Sequence, residues 1–243
     1  PNPPHCSPNL PPPPQDYTIP DPPLTILGAG LQCDTLRAAL KQLPVEIDLI
    51  VSSPMRRTLQ TATNALGWRM AEGCPAIARA EFQENSAKPC DTGSDTKIMA
   101  GEWEAFDWSE VDPVYPAKTG LYEFSKEGLT KRGVEARKWL RGRKEKVVAV
   151  VSHAGFLRVG VSYCAYDNAD FRIFEFAEGE GDEEVGGRLV EWELTKERGG
   201  GLGKSEKGVF GWETQHFPKE KEGEAVPSED AQTQRASAVK VAS

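Results

Sequence analysis

The chain has 243 residues, 38% of them hydrophobic, and a formal net charge of −8. That length is enough for one α/β domain with a sizeable core, and the modest hydrophobic fraction predicts that part of the chain stays unpacked. The acidic balance argues against a non-specific nucleic-acid or membrane-surface role, so a phosphate ligand must be held by a few placed cations.

The five cysteines, Cys6, Cys33, Cys74, Cys90 and Cys164, are widely spaced and form no CxxC pair. They point to neither a zinc site nor a disulfide framework, and they fit reduced thiols in a cytoplasmic protein. No apolar run approaches a membrane span, and no basic-then-apolar signal segment opens the sequence. The first residue is proline, not Met, which leaves room for residues upstream.

Residues 1–23 are proline-rich and are expected to be extended coil, because proline lacks the N–H of a central strand. Thr25 can cap a helix from about Gly28 to Gln42, with Leu31, Leu36, Ala39 and Leu40 inward. Ile47–Ser52 (IDLIVS) is a short apolar run followed by Ser-Pro, and reads as a buried parallel strand. A helix follows from about Met55 to Leu66, ended by Gly67. A short strand is expected near Ala76–Ala80, with helices over 97–106 and 128–143. Val147–Val151 (VVAVV) is the second strong strand, and Phe156–Tyr163 reads as a helix. Arg172–Phe176 and Arg188–Leu194 form a hairpin pair across the acidic, glycine-rich EGEGDEEVGG.

Strands alternating with helices predict a three-layer α/β/α domain with a mostly parallel sheet, spanning 24–198. The Gly-, Lys- and Glu-rich stretch 199–243 is expected to be a disordered tail. In such sheets, ligands bind beyond the C-terminal ends of the strands. Ser52–Arg57 and Ser152–Gly155 both fall at that edge.

In SSPMRRTLQTA (52–62), a strand ends, proline turns the chain, and two arginines enter the first turn of a helix. Helix N-termini attract anions, and a guanidinium adds bidentate oxygen contacts. Arg56 and Arg57 could equally be ordinary solvated helix residues. In VSHAGF (151–156), His153 follows an apolar strand and precedes small residues that let an imidazole approach a ligand. Taken alone, it also reads as a histidine satisfied by backbone in a strand–helix turn. In EFQENSAKPCDTGSD (81–95), Glu81 and Glu84 are candidate proton donors, or solvated loop acids. The spacing of Asp91-Thr92-Gly93-Ser94-Asp95 does not fit an EF-hand calcium loop.

These pieces in this order resemble the histidine phosphatase superfamily, in its phosphoglycerate mutase-like branch, over about Leu24 to Leu194. LTILG (24–28) is similar to the LTxxG that begins the family's first helix. SSPMRRTLQTA resembles the SxxxRxxQTA element, whose phosphate-binding arginine falls on Arg57. VSHAGF resembles the VSHGG element, whose second catalytic histidine falls on His153. The segment before PCDTGSD resembles fungal members, with the acid on Glu84.

The resemblance implies phosphomonoester hydrolysis through a phosphohistidine on a small phosphorylated metabolite, without metal or other cofactor. Its catalytic residues are then His153 and Glu84, with Arg57 and His153 binding phosphate. It also implies a first central strand ending in Arg-His-Gly or Arg-His-Ala, and nothing before LTILG matches one. His5 has no arginine before it and no strand beneath it, so no catalytic role falls on it. The chain is therefore expected to be truncated or inactive as it stands. The alternatives are a degenerate phosphate-binding or regulatory domain, or a recruited fold using His153 as a base for other chemistry.

Overall fold

The apolar run IDLIVS forms the middle of a parallel sheet. A computed structural model of the chain describes residues 16–177 and 186–210. Among these, strand β1 (Leu49–Ser52) lies between β2 (Ala76–Ala78) and β3 (Val148–Val151), all parallel. The register pairs Ile50 with Ala76 on one side and with Ala149 on the other. With both edges paired, every residue of β1 is buried. β3 ends the sheet among the described residues, and its residues are only half-buried. IDLIVS and VVAVV thus both supply parallel strands, as their composition predicts, and the fold makes them neighbours.

Helix α2 (Arg56–Ala71) packs on β1 and β3. Leu59, Ala62 and Leu66 close the core with Ile47, Ile50 and Met99, and Ala149 and Val151 of β3 pack against it. Such burial of large aliphatic side chains is worth roughly 1.5–3 kcal/mol each. Helix α1 (Cys33–Leu40) packs in turn on α2. Helix α3 (Thr96–Glu102) contributes Met99 to this core and is capped by Asp95. Helix α4 (Lys126–Arg141), capped by Ser125, packs on the π-helical turn Leu157–Ser162, which continues the short helix α5 (Ala154–Phe156). Strands β4 (Phe174–Phe176) and β5 (Leu189–Glu191) form a separate antiparallel pair, followed by α6 (Glu193–Lys196).

Several boundaries differ from the sequence reading. α2 runs through Gly67 and stops before Gly73, whose φ of +93° suits glycine. Leu31 faces solvent at 67% exposure, because the first helix opens with a π-helical turn, Gly28–Gln32, that shifts the phase of its side chains. Leu36 is buried as expected. The second hairpin strand ends at Glu191, and Glu193–Lys196 is helical.

The limits set at 23 and 198 do not mark where the packing stops. Asp21 is buried, and its carboxylate caps α2 from a distance, accepting from Arg56 N at 3.0 Å and from Ser94 N and Oγ. Beyond 198, Asp170 accepts from the backbone N–H of Leu202 and Ser205, and Gly201 N donates to Phe171 O. This stretch buries little apolar surface, but backbone hydrogen bonds onto one carboxylate hold it. Residues 1–15, 178–185 and 211–243 lie outside the described residues, including most of the acidic linker and of the expected tail.

Candidate active site

β1 and β3 end side by side, and their C-terminal residues turn into the two motifs. Ser53 N donates to Val151 O at 2.9 Å, which locks the two turns together. His153 follows β3 and is buried, and its Nε2 shares a 3.0 Å hydrogen bond with Ser53 Oγ. Burial drives the His153 pKa well below its ordinary value, and the positive charges of Arg57, Lys118 and Arg132 act in the same direction. The imidazole is therefore neutral at neutral pH.

Glu84 sits across the Ser152–Gly155 turn. Ser152 Oγ donates to Phe82 O at 2.7 Å, tying the 82–85 segment to the turn. A Cβ on Gly155 would lie 2.5 Å from Glu84 Oε1, so glycine is what lets the carboxyl rest there. Burial raises the Glu84 pKa and Asp91 adds to the rise, against the Asn85 N–H and the charges of Arg57 and Arg132. A carboxyl held in its acid form can give a proton to a departing oxygen. We predict that Gly155→Ala displaces this carboxyl without unfolding the chain. In a carbon-13 carboxyl NMR titration, Glu84 should move back toward the usual carboxylate range. An unmoved titration would show that the carboxyl does not sit against Gly155.

Arg57 occupies the first turn of α2, half-buried. Its Nη1 donates to Cys90 O at 2.6 Å, and its Nη2 pairs with Asp91 Oδ1 at 3.2 Å. These oxygens hold the guanidinium within the field of both His153 and Glu84. Arg56 points elsewhere, pairing with Glu102 and donating to Met99 Sδ. The first N–H of α2 is not left for an anion, because Asp21 takes it. Glu81 pairs with Arg79, away from these groups. The structure thus brings Arg57, His153 and Glu84 to one sheet edge. His153 is the only histidine among the described residues, and His5 lies outside them.

Sequence reasoning missed two cations here. Arg132 of α4 is fully buried, with Nη2 on Asn85 Oδ1 at 2.7 Å and its guanidinium over the Phe156 ring at 4.0 Å. Burial lowers its pKa to about 10. Its signal was the inward stripe of α4, since Leu129, Arg132, Gly133 and Ala136 share one face. Lys118 lies in a loop with no motif, and nothing in the sequence marked it.

The profile of the histidine phosphatase superfamily (branch 1) matches residues 17–181. The chain belongs to this superfamily. A phosphoglycerate mutase-like protein of Arabidopsis thaliana is 33% identical over 177 residues, covering 60% of this chain and 65% of its own length. A probable phosphatase of Schizosaccharomyces pombe is 29% identical over 122 residues, covering 49% of this chain and 56% of its own. The chain thus spans less than two thirds of either relative. Among solved structures, YhfR of Bacillus stearothermophilus superposes with a TM-score of 0.42 at 17% identity, over 70% of this chain and 82% of that one. Among the described residues, no helix is long and apolar enough to cross a membrane.

Proposed function

We propose that this sheet edge is the phosphate pocket of a phosphomonoesterase of the phosphoglycerate mutase-like kind, acting on a small phosphorylated metabolite in the cytoplasm. The observation that carries the reading is the seating of Glu84 against Gly155, two residues along the chain from His153, with Arg57 acting on the carboxyl and the imidazole alike. Arg57 supplies a fixed cation for the equatorial phosphoryl oxygens. His153, neutral, offers an N–H to the same oxygens. Glu84, whose carboxyl burial shifts toward its acid form, protonates the leaving alkoxide as the P–O ester bond breaks. In the family pattern, an imidazole from a strand ending in Arg-His attacks phosphorus, and water then releases phosphate. That strand would pair with the edge of β3 that has no partner among the described residues.

The test is calorimetric titration of the chain with inorganic phosphate. Binding should be measurable, and Arg57→Ala should weaken it roughly tenfold or more, the worth of a lost charge-assisted contact. Absence of binding, or binding indifferent to Arg57, would remove this reading. A second reading, a phosphate-binding domain without turnover, is favoured by the single histidine among the described residues. Tight phosphate binding without hydrolysis, even with an Arg-His strand supplied, would select it.

A further inference from the structure

Lys118 comes to the same group of residues from the loop after Tyr115. It is half-buried, and its Nζ donates to the main-chain carbonyl of Glu84 at 2.6 Å. That bond fixes the ammonium beside the residue proposed as the acid. An ammonium carries further N–H donors beyond that one. Lys118 makes no ion pair among the described residues.

The charged groups around it come from every neighbouring segment. Arg132 faces it from α4 and Arg57 from α2, and Glu84 and Asp91 face it from the 84–91 stretch. His153 also lies within its field. Burial, Arg132 and Arg57 together pull the Lys118 pKa down to about 7, against Glu84 and Asp91. A cation withdrawn from water, crowded by guanidinium groups and lacking a paired carboxylate gains strongly from an incoming dianion.

We propose that Lys118 is a further phosphate-contacting cation of this pocket, pairing with a tetrahedral dianion through the ammonium hydrogens that Glu84 does not take. The inference rests on the phosphate-binding reading above and adds a pH dependence to it. Lysine carries charge only below its pKa, so affinity for a dianion of constant charge falls as pH rises past neutrality. The bound dianion raises the ammonium pKa in turn, so the fall is centred above the value in the free protein.

Sulfate is the probe, because it stays dianionic where phosphate itself titrates. Its affinity should fall roughly tenfold between about pH 6 and about pH 9 in the wild-type chain, the worth of one charge-assisted contact. Lys118→Arg should keep the tighter affinity with little fall, since a guanidinium stays charged throughout. Lys118→Met should bind about tenfold more weakly at low pH, with little further change. Glu84 ionises in the same direction, so the fall should persist in Glu84→Gln. Thermal unfolding of each variant checks the fold. Lys118→Met binding sulfate like wild type, or Lys118→Arg keeping the full fall, would overturn the inference. If Arg57→Ala abolishes binding and Lys118→Met leaves it unchanged, the phosphate pocket stands and the role of Lys118 does not. If the wild type binds neither anion, both are wrong.

Discussion

Gly133→Ala is expected to destabilise the chain by about 2–4 kcal/mol, against the sign that helix propensity alone predicts. Gly133 lies inside α4, where alanine is ordinarily better than glycine by roughly 1 kcal/mol. Here, though, a Cβ would sit 2.0 Å from Gly160 O and 2.7 Å from Gly160 C. Both atoms are backbone, so no side-chain rotation relieves the clash, and the helix must move off the turn. That movement breaks the hydrogen bond from Arg137 to Gly160 O and uncovers Phe156 beneath Arg132. Gly67, inside α2, is the matched control, with nothing within 4 Å of a built Cβ. Gly67→Ala should stabilise by about 0.5–1 kcal/mol. Urea unfolding of the pair decides the matter, because equal stabilisation of both would mean that α4 does not approach Gly160 so closely.

The parts of the fold that were legible in the sequence are those where one physical signal dominates. The LIV of IDLIVS and VVAVV are uninterrupted β-branched and aliphatic runs, and both became strands of one parallel sheet. Where a boundary depends on a local competition, the sequence misled. Gly67 reads as a helix stop, but the apolar face of α2 carries the helix past it, and Gly73 ends it. The Gly-rich stretch after 198 has too few apolar residues to read as packed. Leu202, Lys204 and Ser205 are nonetheless held, because Asp170 accepts from their backbone N–H groups, a contact between segments that no local pattern records.

The site divides in the same way. Arg57, His153 and Glu84 sit in motifs at strand and helix junctions, and the sheet brings them together. Lys118 and Asn85 act through contacts fixed only by the fold, Lys118 on the Glu84 carbonyl and Asn85 on Arg132. Arg132 was half legible. Its place on an inward helix stripe was visible, but a buried arginine there has meaning only once Glu84 and Asn85 are seen beside it.

The largest effect expected concerns turnover. The 243-residue chain should hydrolyse a generic aryl phosphate slowly or not at all. His153 is neutral, but its Nε2 is engaged with Ser53 and it is buried, so it is poorly placed to attack phosphorus. With no second imidazole among the described residues, the two-step route has no nucleophile there, and His153 would have to activate water for direct attack. Positioning by Arg57 and protonation by Glu84 can still leave a residual rate. Supplying an N-terminal strand that ends in Arg-His should change this. Its ladder partner would be β3, whose residues are half-buried while those of β1, paired on both sides, are fully buried. The added arginine brings a second charge-assisted contact, and the strand covers apolar surface, so stability and rate should rise together. In the extended chain, Arg57→Ala and His153→Ala should each lower kcat by roughly 100- to 1000-fold, the usual worth of one preorganised transition-state contact. Glu84→Gln should cost most on substrates with poor leaving groups and least on aryl phosphates, because a good leaving group needs no proton. His5→Ala should leave the rate unchanged. Robust hydrolysis by the unextended chain, abolished by His5→Ala, would show that the nucleophile is the histidine to which we assign no role.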